Sequence, residues 1–304
     1  MKQKIKTFNT KEFLDEYMQP DLKIKEISEK DSQNFFIFKV QDMIKFSKFP
    51  VPPTRATTHT IIFLTSGVAT MKIGFQSVEI HANECLIVAA GQVFGYDKYE
   101  VNEGFICSFD NAFLLGKIGS NDLLKDFDFL NVWGNPTIKS TLKSANYIAQ
   151  TFQRILEEYS ENSFKNNSLI QSNFIAALCE LKLDYQPLFV EIKSKTAITI
   201  TNTFTELLNK NFRTKKLLTD YAFLLNISPN HLNKTIKSVT GKSVSNWIDE
   251  TLILEAKVFL FQTNYSISEI SSTLGFEDQS YFSRFFKKYE NKTPIEFRKM
   301  IDKS

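Results

Sequence analysis

Residues 267–298 read ISEISSTLGFEDQSYFSRFFKKYENKTPIEFR, and the spacing in this stretch specifies a short helix, a tight turn and a second helix. Ile267, Ile270 and Leu274 recur at helical intervals, with Ser266 or Ser268 placed to cap the start. Gly275 stops the first helix, because the position just past a helix end favours positive φ. Phe276 follows as a core anchor. Asp278 sits where an N-cap belongs, and Phe282, Phe285, Phe286 and Tyr289 make the apolar stripe of the helix it opens. Subtracting that stripe leaves Gln279, Ser280, Ser283, Arg284 and Lys287 outside. Arg284 can fork onto guanine O6 and N7, Gln279 can pair with an adenine edge, and Ser283 and Lys287 suit phosphates or mixed contacts. A lone amphipathic helix with its polar face in water would show the same pattern. The weight therefore rests on what surrounds it.

About fifty residues earlier the device recurs. Residues 217–237 read LLTDYAFLLNISPNHLNKTIK. Thr219 or Asp220 can cap one helix and Asn226 can end it, and Ser228-Pro229 supplies an N-cap followed by proline at the first helical position. Leu232, Ile236 and Val239 form the buried side of the second helix, and Asn230, His231, Asn233, Lys234 and Lys237 are its polar residues. Between the two devices, residues 243–261 predict one helix, with Val244, Trp247, Ile248, Leu252, Leu254, Ala256, Val258 and Leu260 for packing. At ~1.5 Å per residue such a helix is roughly 28 Å long. That is close to the ~34 Å between successive major-groove faces on one side of DNA.

Residues 196–301 resemble the DNA-binding domain of AraC-type transcription regulators. The likeness rests on Ser228-Pro229 with Leu232, Thr240-Gly241-Lys242-Ser243, Glu255-Ala256-Lys257 with Leu260, and Ile267 with Glu269-Ile270. It continues through Leu274-Gly275-Phe276, Asp278-Gln279-Ser280-Tyr281-Phe282-Ser283-Arg284, Phe286-Lys287-Lys288, and Thr293-Pro294 with Phe297-Arg298. The resemblance implies two helix-turn-helix units joined by a long helix. By position it implicates Asn230, Asn233 and Lys234 in the first reading helix, and Gln279, Ser280, Ser283 and Arg284 in the second. Two positions depart from the family pattern. Asn291 stands where glycine is usual after the second reading helix, and asparagine is the next best residue for a left-handed cap. Thr251 and Leu252 stand where many members carry arginine, so no backbone contact is expected there.

Charge follows the same division. Residues 195–304 hold 16 Lys+Arg against 11 Asp+Glu, a net of +5, while residues 1–194 hold 21 against 23, a net of −2. A modest positive excess on the candidate reader suits phosphate contact, although many proteins that never meet nucleic acid carry as much. A chain of 304 residues accommodates two domains with separate cores. No apolar run is long enough for a bilayer, and the polar start at Met1–Lys11 does not suit a signal peptide, so a cytoplasmic protein without membrane contact is expected. Cys85, Cys107 and Cys179 are widely spaced among apolar neighbours, as buried reduced thiols would be.

The first half alternates short β-rich runs at 34–40, 61–64, 68–75, 78–81, 85–88 and 105–109 with Gly67, Asn83, Gly91, Gly95 and Gly104, a pattern of a small barrel or jelly roll. Met71, Ile73 and Phe75 alternate with Thr70, Lys72 and Gln76, as in a sheet with one buried face. Arg55, His59 to Ile62, Gly67, the run 78–81 and Ala90-Gly91-Gln92-Val93 are similar to the cupin-like sensor domain found ahead of many AraC-type domains. Such a barrel as an enzyme would need a metal held by several histidines. Only His59, His81 and His231 exist in the chain, which leaves a coordination sphere short. No metal, no catalytic residue and no cofactor is therefore expected. A hollow apolar barrel suits a small-molecule receptor instead, with Arg55, Thr57 and His59 as candidate ligand-binding groups. Ala145, Ile148, Phe152, Ile155 and Tyr159 then form a narrow apolar seam of the coiled-coil kind, continued by Ile170, Phe174, Ala177, Leu178 and Leu181. That seam fits a homodimer interface, or a helix packed on its own barrel.

The expected fold is therefore α+β. It comprises a cupin-like β-barrel (jelly roll) at 1–135, a helical dimerisation segment at 136–183, a linker at 184–195 and an all-α domain with two helix-turn-helix units at 196–304. The expected function is that of a sequence-specific transcription regulator, not an enzyme. Its expected partners are double-stranded promoter DNA, an effector small molecule, a second copy of the chain and RNA polymerase. Three alternatives stay open: a ligand-independent regulator whose barrel only joins partners, a cupin enzyme fused to a DNA-binding domain, and a DNA alkyl-repair sensor needing a reactive cysteine.

Overall fold

One long strand organises the first half of the chain. The computed structural model describes residues 7–19, 35–96, 100–114, 126–162, 167–187 and 194–301. The chain divides into two compact units, the first Thr7–Leu188 and the second beginning at Phe189. The core of the expected linker, 188–193, lies outside the described residues.

The first unit runs α1 (Thr10–Tyr17), β1 (Phe35–Lys39), α2 (Val40–Phe46), β2 (Val51–Arg55), β3 (His59–Ile73), β4 (Gln76–His81), β5 (Glu84–Val88), β6 (Val93–Tyr96) and β7 (Asn102–Phe109). A short helix α3 (Asn111–Leu114), β8 (Thr137–Lys139), α4 (Leu142–Asn162) and α5 (Asn167–Asp184) complete it. The first half of β3 pairs antiparallel with β7 and β5, and its second half pairs antiparallel with β4 and β6. A single strand thus passes through two sheets.

The expected break at Gly67 is instead a bulge. The register shifts between Leu64 and Ser66, and Gly67 takes φ +85° with a hypothetical Cβ only 2.4 Å from the Val101 carbonyl oxygen. Glycine inside a strand marks such a close approach as readily as a turn, so the two runs expected at 61–64 and 68–75 are one strand. Phe75, expected on the buried face, lies in the β3–β4 hairpin and is exposed. The strand β2 escapes the pattern because Pro52 and Pro53 lack N–H donors, which suits a strand that among the described residues pairs with β6 alone.

The sheet of β1, β7, β3, β5 and β8 is covered on both faces, which explains why its strands read as nearly continuous apolar runs. Phe35, Phe63, Phe105 and Phe109 face the helices. Phe152 of α4 meets Phe63 and Phe105 with ring centroids 6.1 and 5.8 Å apart. Phe174 of α5 meets Phe35 and Phe109 at 5.2 and 4.8 Å. The alternate positions Phe36, Ile62, Leu86 and Ile106 line cavities on the other face. Ala145, Ile148, Phe152, Ile155 and Tyr159 are all buried in this core. The seam is therefore filled within one chain, and its spacing is that of a helix lying on its own sheet. The dimer expectation loses the residues that motivated it.

The second unit is all helical: α6 (Lys195–Asn211), α7 (Leu218–Leu224), α8 (Pro229–Thr240), α9 (Val244–Gln262), α10 (Ile267–Thr273), α11 (Gln279–Glu290) and α12 (Pro294–Ile301). Helices α6, α7 and α8 pack together around Phe204 and Tyr221, whose rings meet edge to face at 5.4 Å. Helices α10, α11 and α12 form the second cluster, joined by Phe282, Phe286 and Phe297. The long helix α9 touches members of both clusters.

Candidate nucleic-acid interface

Local hydrogen bonds set both reading helices. Ser228 Oγ accepts the His231 amide at the start of α8, and Pro229 occupies the first turn, where its missing donor costs nothing. Asn226 takes φ +51°, so the turn between α7 and α8 uses the left-handed position its sequence offered. Neither cap candidate for α7 holds the N-cap place, which is Leu217; Asp220, the third residue of the helix, instead reaches back so that its carboxylate accepts the amides of Lys216 and Leu217 at 3.1 and 3.0 Å. In the second cluster, Ser266 and Glu269 form a reciprocal capping box on α10. Asp278 caps α11 by accepting from Ser280 and Tyr281 at 2.7 and 3.2 Å. Asn291 closes α11 at φ +57°. Each such cap contributes about 1 kcal/mol.

Buried stripes then orient the polar faces. On α8, Leu232, Ile236 and Val239 are buried, and Asn230, His231, Lys234 and Lys237 are exposed. On α11, Phe282 and Phe286 are buried and Phe285 and Tyr289 only partly so, while Gln279, Ser280, Arg284 and Lys287 are exposed and Ser283 is half-buried. Burial, joined by a hydrogen bond from its hydroxyl to Asp249 at 2.6 Å, pushes the Tyr289 phenol up and keeps it neutral.

Asn233 differs from the other candidates. It is half-buried, and its Oδ1 accepts the amide of Val244, the first residue of α9, at 3.1 Å. Its oxygen ties a reading helix to the long helix, which fixes the side chain and leaves the amide donors for a base.

The cations sort into two groups. Arg213 pairs with the buried Glu255 at 2.9 Å, Lys242 with Glu250 at 2.7 Å and Lys257 with Glu290 at 3.1 Å. Arg298 donates to the carbonyls of Tyr265 and Thr263. These hold the unit together. Lys234, Lys237 and Arg284, on the reading helices, enter no salt bridge among the described residues.

Two features escaped the sequence. Tyr281, on the third turn-position of α11, is 56% exposed beside the polar face. The turn at Gly275 is strapped to the first cluster: a Cβ there would lie 2.0 Å from the Arg213 carbonyl oxygen, and Lys216 donates to the Gly275 carbonyl. The Lys216 ammonium lies 3.7 Å from the Phe276 ring centroid, and burial lowers its pKa. The apolar Phe276 could have hinted at an anchor, but nothing local pointed to residues sixty positions away.

In the first unit, two interior cavities lined among the described residues by Met43, Met71, Tyr96 and Ile106 do not include Arg55, Thr57 or His59 in those linings. Thr57 is exposed. His59 is 2% exposed and uses both ring nitrogens. Nδ1 accepts the Ala90 amide at 3.1 Å, so Nε2 carries the proton toward Asn111 Oδ1 at 3.0 Å. Burial pulls its pKa down to about 4. It is a neutral structural residue stacked on Phe109. His81 is exposed near Glu79. Cys85 and Cys107 are buried, with thiol pKa values raised by burial. Cys179 is exposed, contrary to expectation. It lies on α5, whose buried stripe of Ile170, Phe174, Ala177, Leu178 and Leu181 leaves it on the outer side. No helix among the described residues is long and apolar enough to cross a membrane.

Residues 221–300 match the family described as "Helix-turn-helix domain". The bifunctional transcriptional activator/DNA repair enzyme AdaA of Bacillus subtilis (strain 168) is 35% identical over 96 residues, 32% of this chain and 46% of that protein. The arabinose operon regulatory protein of Escherichia coli (strain K12) is 39% identical over 72 residues, 24% of this chain and 25% of that one. This chain thus spans under half the length of either relative. A crystal structure of ToxT from Vibrio cholerae O395 superposes with 14% identity over 88% of this chain and 98% of that one, at a TM-score of 0.46. Capped helix pairs, left-handed turns and the matched residues together make the C-terminal part of this chain a helix-turn-helix domain of the AraC type.

Proposed function

We propose that this chain is a sequence-specific transcription regulator that reads promoter DNA with α8 and α11 and answers to a small molecule held in its first unit. The observation that carries the reading is the sorting of charge. Cations that stabilise the second unit are paired, whereas Lys234, Lys237 and Arg284 stand exposed on the two helices whose turns match the family. Asn230, His231, Gln279, Ser280, Ser283 and Lys287 complete the reading faces, and Asn233 contributes from a half-buried position. With α9 roughly 28 Å long, one chain would engage two adjacent major-groove segments. Promoter DNA is the main partner, and RNA polymerase and a second copy of the chain belong to the same proposal, as does a cytoplasmic location. Sedimentation of the full chain tests the dimer.

The decisive experiment is binding to a selected operator and to random DNA across salt concentrations. Arg284→Ala should cost ~1–3 kcal/mol on the operator and relax selection at one base pair, whereas Lys287→Ala should weaken both DNAs and reduce the salt slope by about 1. Equal losses on operator and random DNA for Arg284→Ala would remove its base-reading role.

A further inference from the structure

Tyr281 is the one aromatic residue of α11 that the core does not take up. Phe282 and Phe286 are buried and Phe285 and Tyr289 half-buried, whereas Tyr281 is 56% exposed. It is the third residue of the helix, and its amide donates to the cap residue Asp278. A single exposed apolar side chain is ordinary on a protein surface. Helix stability gains nothing from it here, since tyrosine ranks below Lys, Glu, Gln or Arg as a helix former.

The ring is held in place from behind. It rests on Phe276, with centroids 6.0 Å apart and planes at 46°. Phe276 is itself fixed, because it meets Phe282 and Phe285 at 5.2 and 5.3 Å and carries the Lys216 ammonium 3.7 Å from its centroid. Tyr281 therefore presents a backed aromatic surface with only two side-chain torsions to immobilise, which lowers the entropic cost of a contact. Arg284 is its i+3 neighbour, and such pairs have Cβ atoms ~5–6 Å apart on one side of a helix. Successive bases on a strand are ~3.4 Å apart, so with Arg284 on a base edge Tyr281 reaches an adjoining base pair. The first residues of a reading helix are the ones that meet base edges. The major groove offers one apolar feature there, the C5-methyl of thymine. A ring backed by Phe276 suits that methyl, whereas a phosphate would ask for a cation or the hydroxyl alone.

We propose that Tyr281 is a specificity-determining residue, whose ring packs on the C5-methyl of a thymine in the base pair beside the one read by Arg284. The inference rests on the reading of α11 as a recognition helix, and it adds an apolar contact to a face otherwise made of polar groups. What is recognised is the methyl rather than the base that bears it, so 5-methylcytosine at the same place presents the same surface.

The test uses the full-length chain and its selected operator, with each thymine near the Arg284 site replaced in turn by deoxyuridine, which lacks only the methyl. One replacement, beside the base pair at which Arg284→Ala relaxes selection, should weaken the parent chain about four-fold, which is ~0.8 kcal/mol, the burial of about one CH₂-sized group. Tyr281→Phe should keep that difference, and Tyr281→Ala should bind the thymine and deoxyuridine operators equally. Urea midpoints of both variants are measured alongside. Lower stability in Tyr281→Ala with the thymine preference intact would mean that the ring only covers Phe276, and would overturn the proposal. So would an operator with no thymine beside the Arg284 base pair. A Tyr281→Phe chain that loses affinity for all DNAs alike, while deoxyuridine costs nothing, would assign the hydroxyl to a phosphate and overturn it too. A parent chain that selects no operator sinks the recognition-helix reading and this inference with it, whereas a selected operator indifferent to every methyl sinks this inference alone.

Discussion

Two polar side chains show how a single residue's neighbours decide its role. Asn233 and Asn230 lie three positions apart on the same helix, yet Asn233 caps the first amide of α9 while Asn230 is exposed. Asn233→Ala should therefore lower stability by ~0.5–2 kcal/mol as well as weaken DNA binding, while Asn230→Ala should leave the urea midpoint unchanged and act on DNA only. A parallel urea titration of the two variants decides it. His59 makes a claim about pH. Its pKa is about 4 in the folded chain against ~6.5 when unfolded, so the unfolded state binds the extra proton between those values. The stability it contributes is present above pH ~6.5 and is lost as pH falls toward 4, by roughly 3 kcal/mol in all. Unfolding free energies measured at pH 7 and 4.5 should differ less in His59→Gln than in the parent chain, and equal differences would contradict the buried neutral imidazole.

At the scale of elements, α9 is not the sole ruler between the two reading helices. The Gly275 turn abuts the Arg213 carbonyl and receives the Lys216 ammonium, so the α6–α7 loop of one cluster is pinned to the turn of the other. Gly275→Ala adds a methyl to a position at φ +74° with a backbone oxygen in its way. It should cost at least ~1–2 kcal/mol from the left-handed conformation alone. More diagnostic is Lys216→Met, which keeps the apolar stem over Phe276 but removes the ammonium. Operators whose two half-boxes are moved by one base pair should be tolerated better by this variant than by the parent. Unchanged spacing preference would show that α9 alone sets the distance. The α4 seam teaches a related lesson. Its three-and-four spacing was legible, yet spacing reports only that a face is buried, and the covering partner proved to be Phe63 and Phe105 of the same chain.

For the whole molecule, the division into two compact units and the separate aromatic cluster of the second give an independent expectation. A fragment comprising residues 194–304 should retain a helical circular dichroism spectrum and cooperative melting, and should select the same operator as the full chain. A fragment that melts without cooperativity would show that the second unit depends on the first. The same scale separates what was readable from what was not. Caps at Ser228, Ser266 and Asp278, left-handed turns at Asn226, Gly275 and Asn291, and the buried stripes of α8 and α11 were all legible, because each rests on interactions within a turn or two of chain. The sequence by itself thus determined the pair of helix-turn-helix units and which faces they present. Only the tertiary structure decided that Asn233 is committed to α9, that His59 is a neutral strut, that the α4 seam is satisfied internally, and that Tyr96, Glu100 and Asn102 surround a cavity. Those outcomes join residues on separate elements, and local propensity carries no information about which distant backbone will supply a hydrogen bond or leave a space unfilled.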